Sequence, residues 1–180
     1  MRRAVLVLAG SFAVAAAAAT GVGSQDSSVG AADLTPDSAG SYVALAGAFA
    51  LHEFRSAEMV LERSQDPQLQ EYASAVTRAY SDRIERLLEA GRHAGIPRLD
   101  PAMLPMHWDL LRDLEDEVGT DFDEAFTEQQ VEMHELAVPL HGNYALSGDS
   151  EPLRQVAGVE VRVARDHLAR ARRFGDVAIR

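Results

Sequence analysis

The stretch SYVALAGAFALHEFRSAEMVLERSQDP, residues 41–67, decides the fold class. Apolar side chains recur in it at helical spacing, which predicts one long helix from about Ser41 to Arg63. The stripe that faces the core consists of Leu45, Phe49, Ala57 and Val60. The next helix begins at Asp66 and Pro67, because aspartate caps a helix N-terminus and proline fits the first helical position.

Helical periodicity continues along the rest of the chain, and no long stretch alternates with the two-residue period of a strand. We expect the later helices at about Pro67–Ala94, Pro105–Val118, Asp121–Leu146 and Glu151–Phe174. Because the connections between the long helices are short, neighbouring helices should run antiparallel. The sequence therefore predicts an all-α protein, an antiparallel four-helix bundle with a short extra helix between the second and third long helices.

The N-terminal region has the layout of a secretory signal peptide. Arg2 and Arg3 precede an apolar run from Ala4 to Ala19, which is shorter than the roughly 20 residues that span a bilayer. We expect a signal peptide at residues 1–24 and a flexible linker at residues 25–40. A helical domain should follow at residues 41–175, with a short tail at residues 176–180. The protein should therefore be exported to the periplasm or the extracellular medium, with no stable membrane span after cleavage.

The charge and the composition exclude several kinds of partner and site. The 180 residues include 17 basic residues, all of them arginine, and 28 acidic ones, for a formal net charge of −11. Such an acidic chain repels nucleic acid and anionic membrane surfaces. The chain has no cysteine, which excludes disulfides and thiolate metal sites.

Three polar residues fall where the helical pattern predicts burial or its edge, namely Glu53, His134 and His167. A buried carboxylate is costly unless it is paired or coordinated, so Glu53 requires a partner. Two imidazoles and one carboxylate suit a divalent transition metal such as Fe(II), Zn(II) or Cu(II). The alternative is that these side chains hydrogen-bond to one another or to buried water, as polar groups in helical cores commonly do.

No catalytic motif accompanies these residues. The sequence has no Gly-rich phosphate loop, no HExxH and no ExxH, since Val131 and Ala164 precede His134 and His167 by three positions. A carboxylate-bridged di-iron bundle normally needs ExxH on two helices, so a ferritin-type ferroxidase is disfavoured. We therefore expect a protein that is not an enzyme.

Several short motifs, taken in their order, resemble an exported bacterial family, the domain-of-unknown-function family 4142. The motifs are Glu53 with Leu61-Glu62-Arg63-Ser64, Phe122-Asp123-Glu124-Ala125-Phe126 with Gln130 and His134-Glu135, and Gly148-Asp149 with His167-Leu168. The resemblance runs from about Tyr42 to Phe174. It implies a ferritin-like four-helix bundle and no established reaction.

One departure from the family pattern concerns the candidate metal site. The family usually has an Asp-His pair on the second helix, where this chain has Ala79 and Tyr80. If the family's inward Glu and His residues form a metal site, this chain keeps Glu53, His134 and His167 and lacks one imidazole. Tyr80 could replace that imidazole only as a weak or ferric-type ligand.

Two functions are compatible with these features. The leading hypothesis is a non-catalytic binding or envelope-associated module, because an export signal and a complete bundle pattern occur without a catalytic constellation. The alternative is a metal-binding or metal-dependent redox protein that uses the inward Glu and His residues. The sequence leaves the protein partner and the oligomeric state open.

Overall fold

The computed structural model of the protein describes residues 34–97 and 100–178. These residues form five α-helices and no β-strand. The helices are α1 Ala39–Arg63, α2 Pro67–His93, α3 Pro105–Asp116, α4 Thr120–Ser147 and α5 Glu151–Ala178. The predicted all-α class and the short helix between the second and third long helices are confirmed.

Local sequence chemistry explains where the helices begin and end. Ser38 and Ser41 form a capping box, in which each side chain accepts a hydrogen bond from the other residue's backbone amide, so α1 begins earlier than expected. Asp66 caps α2 as predicted, because its carboxylate accepts from two amides of the first turn. Helix α5 runs through Gly175 to Ala178, beyond the expected end, since one glycine weakens a helix without ending it.

The long helices pack around two apolar clusters. Helix α1 packs mainly against α2, and α4 mainly against α5, while α3 contacts α1 and α4. The first cluster includes Tyr42, Phe49, Leu87, Leu140 and Leu153. The second cluster includes Val60, Leu69, Tyr72, Leu114, Phe122 and Phe126. On α1, Glu53 lies between the residues that supply the two clusters, and on α4 Gln130 does so.

Two of the sequence predictions concern residues outside the described part of the chain. The predicted signal peptide, residues 1–24, lies wholly outside it, as do residues 25–33 of the predicted linker. Among the described residues, no helix combines the length and the apolar character needed to cross a membrane.

Candidate metal centre

The fold brings the three predicted residues together. Glu53 on α1, His134 on α4 and His167 on α5 each offer one ligand atom, and these atoms lie within 4.8 Å of one another. His167 Nδ1 is 2.5 Å from Glu53 Oε1, and His134 Nε2 is 3.4 Å from the same oxygen. Glu53 and His134 are buried, and His167 is half-buried. Three residues predicted from helical spacing to lie at or near buried positions thus converge from three different helices.

A backbone carbonyl fixes the orientation of His134. Its Nδ1 lies 2.7 Å from the carbonyl oxygen of Gln130 in the preceding turn, which can only accept a hydrogen bond. This contact assigns the proton to Nδ1 and leaves the Nε2 lone pair directed at Glu53 Oε1. Metal-binding histidines commonly donate their second ring N–H in this way. A proton or a metal ion between His134 Nε2 and Glu53 Oε1 would make this contact attractive.

Arg83 on α2, which the sequence analysis did not single out, neutralises the buried carboxylate. Its Nη1 donates to Glu53 Oε2 at 2.6 Å, and its Nε and Nη2 donate to Glu160 Oε2 at 3.0 and 2.8 Å. Burial alone would raise the pKa of Glu53, but the Arg83 guanidinium and the His167 ring, which also hydrogen-bonds to Glu53, hold that pKa well below its usual range. The ion pairs join α1, α2 and α5 and leave Glu53 Oε1 facing the histidines.

The charges around Glu53 are not balanced by protein groups of fixed charge. Two carboxylates, Glu53 and Glu160, face one guanidinium, that of Arg83, and all three side chains are at least 88% removed from solvent. Unpaired charge in such an environment is strongly unfavourable. One additional positive charge at the histidines, either a proton or a metal ion, would compensate the pair of carboxylates.

A polar network surrounds the same carboxylate. The Tyr72 hydroxyl lies 3.3 Å from Glu53 Oε1 and 3.1 Å from the side-chain oxygen of Gln130. The amide nitrogen of Gln130 donates to Ser56 Oγ, which in turn donates to the Glu53 carbonyl oxygen. Burial and the neighbouring Glu53 raise the pKa of Tyr72 well above its usual value, so its hydroxyl keeps its proton.

The structure does not bring Tyr80 to the cluster. Its ring stacks on Phe54 with a centroid distance of 4.4 Å, and the charged groups that influence it are Arg55 and Glu58 on α1. The tyrosine whose hydroxyl reaches Glu53 is Tyr72, two turns earlier on α2. Tyr80 therefore does not take the place of the imidazole that the family pattern would supply.

A small cavity lies beside the cluster. It measures about 20 Å³, and its lining includes Glu53, His134, His52, His141 and Met133. A volume of this size holds about one water molecule or one ion. His52 and His141 are buried, and desolvation lowers their pKa values to about 4 and about 3, so both rings are neutral at pH 7.

Comparisons with known proteins relate this geometry to a family and to solved structures. The model of the family described as "Domain of unknown function (DUF4142)" matches residues 24–174. CopM in an Ag-bound form obtained by co-crystallization is 16% identical to this chain, with a TM-score of 0.65 over 77% of this chain and 96% of that chain. The Cu(I)-bound form of CopM is 18% identical, with a TM-score of 0.63 over 77% of this chain and 96% of that chain. The Cu(II)-bound form of CopM is 17% identical, with a TM-score of 0.65 over 76% of this chain and 95% of that chain.

At these identities the similarity to CopM shows a shared helical fold. No curated protein matches the chain.

Arg83→Gln should lower the free energy of unfolding by roughly 3–5 kcal/mol, because it leaves two buried carboxylates without their cation. Urea unfolding followed by circular dichroism measures the loss. Arg55→Gln is the matched control, since the Arg55–Glu58 pair is exposed and should contribute less than about 1 kcal/mol. Equal losses for the two variants would contradict the assigned role of Arg83.

The metal-free protein should lose stability as the pH falls below about 6.5. Burial lowers the pKa values of His107 and His141 to about 3, from 6.5 in an unfolded chain, so the unfolded state binds more protons in this window. Each imidazole should cost on the order of 1–2 kcal/mol by pH 5. Thermal unfolding between pH 7.5 and pH 5 checks this, and a flat or rising stability would refute it. The exposed His93 provides the control variant His93→Gln, which should show the same slope as the wild type.

Proposed function

This chain belongs to the DUF4142 family, and we propose that it binds one transition-metal ion between Glu53, His134 and His167. The observation that carries the proposal is the convergence of a carboxylate oxygen and two imidazole nitrogens from three helices. The His134 proton is held on the far side of its ring, so Nε2 has a free lone pair directed at Glu53. This donor set suits copper, zinc or iron(II).

The distances in the cluster are compatible with binding after small side-chain movements. Ligand atoms about 2.1 Å from a tetrahedral ion are about 3.4 Å apart, which is the separation of His134 Nε2 and Glu53 Oε1. His167 Nδ1 is closer to that oxygen, at 2.5 Å, because the two atoms share a hydrogen bond. An ion would replace the proton in this bond, which would move to the other ring nitrogen of His167, and the ring would shift outward.

Charge and the solved structures favour copper among the candidate metals. Because Arg83 already supplies one positive charge, a monovalent ion would balance the two carboxylates, whereas a divalent ion would leave an excess charge in a buried site. The CopM structures with the same fold contain Cu(I), Cu(II) or Ag. We therefore propose Cu(I) as the preferred ion and Zn(II) as the competitor to be tested.

The cluster suits the holding of an ion better than turnover of a substrate. The cavity beside it has room for about one water molecule, so an organic substrate could not reach the ligands in this conformation. We propose a non-catalytic binding role in an exported protein, consistent with the signal peptide expected from the N-terminal sequence.

We further propose that the four long helices form an antiparallel bundle. Tyr42 near the start of α1 bonds His141 near the end of α4, whereas Ser56 farther along α1 bonds Gln130 earlier on α4. The same reversal relates α1 to α2, because Val43 lies beside Gly91 and Phe54 stacks on Tyr80. Contacts of this kind are expected between antiparallel helices.

Copper loading tests the proposed function. The full chain is incubated with Cu(I) under anaerobic conditions, separated from free metal by gel filtration and analysed for copper per chain. His134→Ala/His167→Ala should bind one ion fewer per chain than the wild type, and it should lose the ion-dependent rise in melting temperature.

The matched control is His93→Ala, which removes an exposed histidine of α2 and should bind as much copper as the wild type. The single variant His167→Gln, at the half-buried position, reports on the site if the double variant folds poorly. Equal copper content in the correctly folded variants and the control would refute the proposed site.

A further inference from the structure

A second pair of histidines lies in the interior, outside the cluster around Glu53. His52 on α1 and His107 on α3 are 1% and 0% exposed, and their ring centroids are 5.1 Å apart with an interplanar angle of 30°. Phe49 contacts the His107 ring edge-on. The pair is therefore enclosed by protein between α1 and α3.

One nitrogen of each ring, Nε2, has no hydrogen-bond partner in the part of the chain that the structure describes. His52 Nε2 and His107 Nε2 are buried and make no hydrogen bond within the described residues. A buried polar atom without a partner costs about 1–3 kcal/mol, so each of these two atoms calls for a ligand such as a water molecule or an ion. Burial lowers the pKa of His107 to about 3, so its ring is neutral and can act as a ligand.

We propose that the Nε2 atoms of His52 and His107 form a second site for a soft monovalent ion, Cu(I) or Ag(I). Two imidazoles bound to one ion at about 2 Å have ring centroids about 5–6 Å apart, depending on the N–metal–N angle. The observed 5.1 Å corresponds to a bent arrangement with an N–metal–N angle of about 110°, in which positions for further ligands remain open. A neutral two-nitrogen site without a carboxylate suits an ion of low charge.

The surroundings of the pair favour a soft ion. Met133 and His52 both line the small cavity beside Glu53, and half-buried Met106 immediately precedes His107. Thioethers are ligands of Cu(I) rather than of hard cations. His52 is also next to Glu53 in the chain, and His134 follows Met133, so the second site would lie beside the first.

Binding has a defined consequence for the His107 proton. The backbone N–H of Leu104 donates to His107 Nδ1 at 3.3 Å, which assigns the ring proton to Nε2 in the ion-free chain. An ion that binds Nε2 displaces this proton to Nδ1, and the long bond from Leu104 breaks. The net change is one N–metal bond formed at each ring and one proton moved within His107.

Silver titration with nuclear magnetic resonance detection tests this site. The full chain, labelled with ¹⁵N at histidine, is titrated with Ag(I), which is diamagnetic and resists redox change. We expect ¹⁵N shifts and silver–nitrogen coupling at Nε2 of both rings, with the His107 proton signal moving from Nε2 to Nδ1. Elemental analysis should give two silver ions per chain in the wild type and in His93→Gln.

Variants separate this site from the one proposed above, on which it does not depend. His134→Gln/His167→Gln should keep one ion and the His52 and His107 signals, whereas His107→Leu should lose one ion. If Ag(I) leaves both Nε2 signals and the His107 tautomer unchanged in the wild-type chain, the pair does not bind the ion and the proposal is wrong. The spectrum of the wild-type chain with Ag(I) tests the proposal even if a variant fails to fold.

Discussion

The buried carboxylate of Glu53 is the constraint on which the rest of this interior depends. A charged group inside a helical protein must be paired, and Arg83 supplies that pairing at one oxygen of Glu53 while it also binds Glu160. Because Arg83 occupies Oε2, the other oxygen remains for His134, His167 and Tyr72. The arrangement of the candidate metal centre thus follows from the way in which one buried charge is neutralised.

The two apolar clusters hold this polar region in place. On α1, Phe49 belongs to the first cluster and Ala57 to the second, and Glu53 lies one helical turn from each. On α4, Phe126 belongs to the second cluster and Met133 to the first, which positions His134 beside Glu53. The ligand atoms are therefore carried by helices whose apolar residues on both sides are packed, which limits their movement and favours a preformed site.

The parts of this structure that the sequence predicted are those with strong periodicity. Helix existence and type followed from apolar spacing, and the inward positions of Glu53 and His134 followed from the same stripes. Arg83 was missed because arginine is usually exposed, although it lies seven residues from both Val76 and Ala90, which are buried on the same face of α2.

Tyr80 was considered a ligand only because of its position in the family pattern. Its ring packs on Phe54 instead, and the hydroxyl that reaches the carboxylate comes from Tyr72. The burial of His107 had no clear sequence signal, because α3 is short and its inward face depends on how the helix lies across α1 and α4. Side-chain convergence across helices is a tertiary property, which helical spacing alone does not determine.

The most direct measurement is an anomalous diffraction experiment on crystals of the full chain grown with Ag(I) or with Cu(I) under anaerobic conditions. We predict a metal peak about 2.0–2.5 Å from Glu53 Oε1, His134 Nε2 and a ring nitrogen of His167. Arg83 should still bind Glu53 Oε2 in that structure. A map without a peak among these three atoms, with the hydrogen bond between His167 and Glu53 intact, would contradict the account.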